Sequence, residues 1–239
     1  RQIRNALREC GLYRDNGREH LRGCVVVPLH SADGLIHNLY GRKVTDGDKI
    51  IKGAPKHLYL PGPHRGILNP EALKNREIIL CEALLDALTF WRHGIKNVTS
   101  TYGTEGFTDE LFQALLENKV ATVRLAFDAD EAGERGTAKV SEKLMAHGIE
   151  CHRIKLPWGE DVNSFALKSP EPAEALAAAV NGAEWLGSRR VILKNQQPEE
   201  AAAPPMDGAE RSQYLGKTIK VTSKDTPAPA SLSSSLAAS

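Results

Sequence analysis

Apolar and polar positions change their spacing several times along this chain, and each change predicts a different element. Residues 2–10 have helical spacing that Gly11 stops. Residues 22–42 alternate apolar β-formers with polar residues around a turn at Ala32-Asp33-Gly34, which predicts a hairpin. A Gly/Pro-rich stretch from Gly53 to Gly66 follows and reads as loop. From Arg76 onward, short apolar runs alternate with amphipathic segments. They predict strands near 77–81, 97–101, 121–127 and 150–156, and helices near 83–93, 108–118, 131–147 and 171–181. Such alternation implies right-handed crossovers and an α/β fold, a mostly parallel sheet with helices on both faces. In the 131–147 helix, Gly133, Gly136, Val140 and Leu144 share one face, so its first turns can sit close against the sheet. Past Asn195 the composition shifts to Pro, Ala, Ser and Glu, which predicts a flexible tail or linker.

With 239 residues, 41% of them hydrophobic, the chain can bury a real core. It has no run of about eighteen apolar residues and no charged-then-apolar leader, so a cytoplasmic protein with no membrane partner is expected. The first residue is Arg1 rather than Met, which reads as a piece of a longer protein or a processed product. Cys10, Cys24, Cys81 and Cys151 are far apart, without C-x-x-C or zinc spacing, and read as buried thiols in a reducing compartment. The net charge of +1 conceals an asymmetry. Residues 1–76 hold 14 Lys/Arg against 7 Asp/Glu, and the rest hold 17 against 23. A basic part beside an acidic part suits a protein that grips phosphates with one and holds cations with the other.

The candidate chemistry lies at strand ends. Glu82 follows Glu77–Cys81, Asp128 and Asp130 follow Val123–Phe127, and Asp161 follows Ile154–Leu156. In a parallel sheet these ends converge on the ligand-binding edge. Two carboxylates about 4 Å apart repel by roughly 4 kcal/mol at an effective dielectric near 20, so a hard divalent cation belongs among them. Each residue also has an ordinary reading. Glu82 could be a surface turn residue, Asp86 a solvated helix position, Asp130 an N-cap and Asp161 a turn residue. Asp128, directly after an apolar strand, is the hardest to explain that way.

The wording of these segments resembles the TOPRIM domain of bacterial-type DNA primases. A strand ending in Glu with Asp one turn later appears as Ile79-Leu80-Cys81-Glu82-Ala83-Leu84-Leu85-Asp86. The D-x-D-x-A-G element is Asp128-Ala129-Asp130-Glu131-Ala132-Gly133, and L-P-x-G-x-D is Leu156-Pro157-Trp158-Gly159-Glu160-Asp161. Tyr102-Gly103-Thr104 resembles the G-T step after the second strand, and Arg22–Leu29, Gly34–Arg42 and Lys56–Pro61 resemble the small subdomain that precedes TOPRIM. Ala83 stands where the family usually has Gly, Glu134 where Arg or Lys is common, and Asn163 where a carboxylate is frequent.

The resemblance implies a TOPRIM-type, Rossmann-like sheet at 71–183, a small basic α+β subdomain at 1–70 and a tail at 184–239. It implies a metal-dependent nucleotidyltransferase, a DNA-directed RNA polymerase that makes primers from NTPs on a single-stranded DNA template, with a replicative helicase as a further partner. Glu82, Asp128 and Asp130 are the implied catalytic carboxylates. These three with Asp86 and Asp161 would hold Mg²⁺ or Mn²⁺, and no zinc is expected. Arg22, Arg42, Lys43, Lys52, Lys56 and Arg65 are the candidate nucleic-acid contacts, against the ordinary reading of a solvated basic face. Two other functions stay open: TOPRIM nuclease or topoisomerase-like DNA processing, and a non-catalytic nucleic-acid-binding module of a mobile-element replication protein. Tyr13, Tyr40, Tyr59, Tyr102 and Tyr214 lack the context of a topoisomerase nucleophile.

Overall fold

The structure is a computed structural model that describes residues 2–31, 33–44 and 55–188. Lys52 and most of the expected tail lie outside the described residues. Two sheets make up the fold. A short helix α1 (Gln2–Glu9) precedes a three-stranded antiparallel sheet, β1 (Cys24–His30), β2 (Ile36–Lys43) and β3 (His57–Tyr59), in the order β1-β2-β3. The second sheet has five strands: β4 (Glu77–Cys81), β5 (Val98–Ser100), β6 (Thr122–Ala126), β7 (Glu150–Arg153) and β8 (Glu184–Gly187). Their order is β5-β4-β6-β7-β8, parallel except for β8.

Helices α2 (Leu84–Arg92), α3 (Asp109–Glu117), α4 (Glu131–Ala146), α5 (Val162–Lys168) and α6 (Pro172–Asn181) cover the second sheet. The interior strand β4 is apolar after Glu77 because Ile78 to Cys81 are buried on both faces. Ile78 and Leu80 pack with Leu115 of α3 and Val140 and Leu144 of α4. Ile79 and Cys81 pack on the opposite face with Phe90 of α2, Ala166 of α5 and Leu176 of α6. Helices therefore lie on both faces, as the strand–helix alternation predicts. Leu29 and Tyr40 of the small sheet belong to that second cluster, so the two sheets share apolar packing.

Several local details differ from the sequence reading. Residues 162–168 form a helix the periodicity did not flag, started by a capping box between Asp161 and Ser164. Glu184–Gly187, placed in the tail from sequence, pairs antiparallel with β7 and closes that edge of the sheet. Of the four cysteines, Cys81 and Cys151 are buried, but Cys10 is exposed and Cys24 only partly covered. Neither Cys10 nor Cys24 lies on an element buried on two sides, and that limits the burial expected for all four. No helix among the described residues is long and apolar enough to cross a membrane.

Candidate functional site

Strand order fixes where a ligand can enter. The chain leaves β4 for its neighbour β5 on one side, then returns past β4 to β6 on the other. The C-terminal ends of β4 and β6 thus form the switch point where α/β sheets open a crevice. Glu82 is the first residue after β4, and Asp128 lies two residues past β6. The two strand ends are tied together: the Asp128 N–H donates to the side-chain Glu82 Oε2 at 3.4 Å, and the Glu82 N–H to the Ala126 carbonyl at 3.4 Å.

The loop after β5 holds Glu82 from the other side. Thr101 Oγ1 and the Gly103 N–H donate to the Glu82 carbonyl at 2.9 and 3.0 Å, and Thr104 Oγ1 donates to Glu82 Oε1 at 2.5 Å. The Asp128–Asp130 loop is in turn tied to the segment before α5. The Ala129 N–H donates to the Glu160 carbonyl at 3.0 Å, and the Gly159 N–H to the Ala129 carbonyl at 2.7 Å. Asp128 and Asp130 therefore face Asp161 and Ser164 across an open cleft of about 270 Å³. A larger pocket of about 360 Å³ between α2, α5 and α6 has no acidic lining.

Close packing holds α4 against this edge. A Cβ on Gly133 would lie 2.0 Å from the Asp128 carbonyl oxygen, and one on Gly136 would lie 2.6 Å from Thr104 Cγ2. Only glycine lets the first turns of α4 approach the loop that carries Asp128 and the Thr104 loop that holds Glu82.

Electrostatics shows that the carboxylates feel one another. Asp86, 3% exposed, is pushed up to about 7, chiefly by burial, then by Asp161 and Asp128, with Glu82 adding to the rise. Only the Asn163 N–H, 3.2 Å from Asp86 Oδ1, works the other way. Asp128 is raised to about 6 by burial, Glu82, Asp161 and Asp130, with Arg153 opposing. No hydrogen-bond donor meets its carboxylate among the described residues. Asp130 caps α4, accepting from the Gly133 N–H at 2.7 Å, and Asp161 caps α5, accepting from the Ser164 N–H at 2.5 Å. The capping readings of these residues are thus real, yet they do not remove the carboxylates from the cleft.

The five acidic residues share one edge, but a ready-made ligand cage is not there. Among the described residues no three His, Cys, Asp or Glu side chains are grouped to hold a metal ion. The physical reason is that each carboxylate but Asp128 is drawn to a donor of its own: Thr104, Asn163, or a helix N-terminus. None of the five is locked to an arginine among the described residues. The donor set is all hard oxygen, which fits Mg²⁺ or Mn²⁺, and the raised Asp86 and Asp128 are carboxylates that a nearby cation would relieve.

Four of the basic candidates gather at one end of the small sheet. Arg42 lies opposite His57, and the Lys43 N–H donates to the Lys56 carbonyl at 3.0 Å. Lys43 Nζ donates to the Arg22 carbonyl at 2.6 Å. Arg42 also hydrogen-bonds His57 Nε2, so its guanidinium is partly engaged. Arg65 is exposed on the loop that leads toward Tyr102. Two contributors escaped the sequence reading. Thr104 was seen only as part of a G-T step. Arg153 is a buried cation that shares the inward face of β7 with Cys151, and a charge at that position was itself the available signal.

Comparison with known proteins now adds to this geometry. Residues 79–166 match the family described as Toprim-like. A DNA primase from Clostridium acetobutylicum is 28% identical over 159 residues, which is 65% of this chain and 26% of that protein. A DNA primase from Staphylococcus aureus is 29% identical over 162 residues, 63% of this chain and 25% of that protein. The chain thus spans about a quarter of the length of the curated relatives it matches. Among solved structures, a DnaG primase catalytic domain bound to single-stranded DNA superposes with a TM-score of 0.64 at 22% identity, covering 82% of this chain and 63% of that one. A DNA primase domain from Pseudomonas aeruginosa gives 0.61 at 25% identity, covering 76% and 60%. Sheet order, the acidic edge and these matches agree: residues 79–166 are similar to Toprim-like domains, and the described fold is similar to that of bacterial DNA primase catalytic cores.

Proposed function

We propose that this chain is the catalytic core of a primase, joining ribonucleotides on a single-stranded DNA template. Residues 1–70 would grip nucleic acid and residues 71–183 would carry the chemistry. The observation that carries the reading is the convergence of Glu82 and Asp128 at the β4/β6 switch point, with Asp86, Asp130 and Asp161 around them and none of the five ion-paired with an arginine among the described residues. Support also comes from the primase relatives and from a primase fold solved with single-stranded DNA.

In the reaction a 3′-hydroxyl attacks the α-phosphorus of an NTP and pyrophosphate leaves. Glu82, Asp86, Asp128, Asp130 and Asp161 would hold Mg²⁺ or Mn²⁺, which supplies charge neutralisation of the triphosphate and a more acidic attacking hydroxyl. The side chains themselves position and exclude. Thr104 fixes the Glu82 carboxylate by its hydroxyl, and Arg153 fixes the carbonyls of Phe127 and Asp128. Arg22, Arg42, Lys43 and Lys56 offer a basic end for template phosphates, with Arg65 nearer the edge. A tyrosine nucleophile has no support. Tyr102 donates its hydroxyl to the Arg65 and Gly66 carbonyls, and the Tyr40 hydroxyl meets His57.

The test is primer synthesis on single-stranded template with labelled NTPs and Mn²⁺ or Mg²⁺, with and without a primase zinc-binding module added in trans. Short RNA products that vanish in Asp128→Asn are expected. A chain that binds single strands but makes no product under either condition is a binding module instead. Mg²⁺ should also raise the melting temperature of the wild type and not of Asp128→Asn, because only a ligand of the native state stabilises it.

A further inference from the structure

Three rings bridge the small sheet and the acidic edge. His64 stacks on Tyr102 with centroids 4.6 Å apart and 27° between planes. Tyr59 meets His64 edge-on at 4.8 Å and lies 5.1 Å from Tyr102. Tyr59 and Tyr102 are partly buried, whereas His64 is exposed. Tyr102 cannot swing, since its hydroxyl donates to the Gly66 carbonyl at 2.8 Å and to the Arg65 carbonyl. Burial pushes both tyrosine hydroxyls up, so the rings stay neutral.

The position of this stack is as telling as its geometry. The residues flanking Tyr102, Thr101 and Gly103, bind the Glu82 carbonyl, and Thr104 binds its carboxylate. On the other side Tyr59 lies 5.4 Å from Tyr40, whose hydroxyl meets His57 Nδ1 at 2.8 Å, and Arg42 bonds the same imidazole. An aromatic row thus leads from the basic end of the small sheet to the acidic edge, with Arg65 beside it. An exposed imidazole seals no core, since a polar ring in water gains little from burial it does not have. An aromatic face open to solvent and flanked by cations is what unpaired bases stack on.

We propose that the His64–Tyr102 stack is a platform for an unpaired nucleobase, set beside Glu82. The base belongs either to single-stranded DNA or to an incoming nucleotide, and the shared chemistry is a planar heterocycle. This rests on the primase reading only in requiring a nucleic-acid or nucleotide ligand at this edge.

Two binding experiments on the wild type, His64→Ala and His64→Trp test it. One compares labelled oligothymidylate with an abasic oligomer of equal length, by fluorescence anisotropy. The other compares ATP with inorganic triphosphate in the presence of Mg²⁺. The wild type should prefer the base-bearing ligand in at least one arm. His64→Ala should remove that preference, a loss of about tenfold, and His64→Trp should restore it. The arm that responds identifies the source of the base. Because His64 is exposed, the alanine variant should keep the wild-type near-ultraviolet circular dichroism. A loss shared equally by base-bearing and base-free ligands, or no loss in either arm, overturns the platform while leaving the primase reading in place. A wild type that binds none of the four ligands removes both.

Discussion

Arg153 of β7 donates from Nη2 to Glu134 Oε1 of α4 at 2.9 Å, and the same guanidinium holds the carbonyls of Phe127 and Asp128 at 2.9 and 3.0 Å. The resemblance to primases implies a basic residue at the position of Glu134, and here a positive charge comes from the neighbouring strand. The two partners are unequal, with side-chain exposures of 4% for Arg153 and 55% for Glu134. Replacing Arg153 by Leu orphans two carbonyls at the end of β6 and should cost about 3 kcal/mol. Glu134→Gln keeps a hydrogen bond to a wet side chain and should cost under about 1 kcal/mol. Urea denaturation of the two variants measures this asymmetry, and equal losses would mean the carbonyl contacts contribute nothing.

Helix propensity and sterics make opposite predictions at Gly133. Alanine is better than glycine in a helix interior by about 1 kcal/mol. The added methyl, however, would sit 2.0 Å from the Asp128 carbonyl oxygen, a backbone atom that cannot rotate away. Gly133→Ala should therefore destabilise by about 2–3 kcal/mol and weaken Mg²⁺ binding by displacing Asp128. A gain in melting temperature would show that α4 sits further from the sheet.

The raised Asp86 gives stability an unusual pH dependence. Its carboxyl binds a proton more tightly folded, at about 7, than unfolded, near the ordinary 3.8. The native state therefore holds the extra proton between these values, and the favourable contribution is lost as pH rises through about 4 to 7. Asp86→Asn keeps an acceptor for the Asn163 N–H without the charge. In chelating buffer the variant should gain on the wild type as pH rises, by about 2–4 kcal/mol at pH 8. Parallel melting curves at pH 5 and pH 8 for both proteins read this out. A constant difference between them would mean that Asp86 is solvated.

Salt should separate the basic contacts from ordinary surface charge. Single-stranded DNA affinity should fall linearly on a log–log scale, with a slope of about 0.7 per phosphate contacted. Lys56→Glu should reduce that slope, and it is the cleaner substitution because Arg42→Glu would also disturb His57 and Tyr40. An unchanged slope in Lys56→Glu would remove this end of the small sheet from the interface.

Much of the fold was readable from sequence because β4 and β6 are built around short apolar runs and the helices between them are periodic. Those patterns depend only on which residues must leave water. The acidic residues were readable for the same reason, since a carboxylate directly after a buried strand can lie only at the sheet edge. What sequence could not supply was the partner of each charge. Thr104 reaches Glu82 across 22 residues and Arg153 reaches Phe127 across 26, and neither separation carries a period. The short helix after Asp161 and the closing strand β8 were missed because each is too brief for a repeat and is held by pairing with a neighbour. The hydrophobic pattern set the layers and the edge. Only the tertiary packing decided that these carboxylates would be coupled, with all but Asp128 individually tethered, because side chains find their donors through space rather than along the chain.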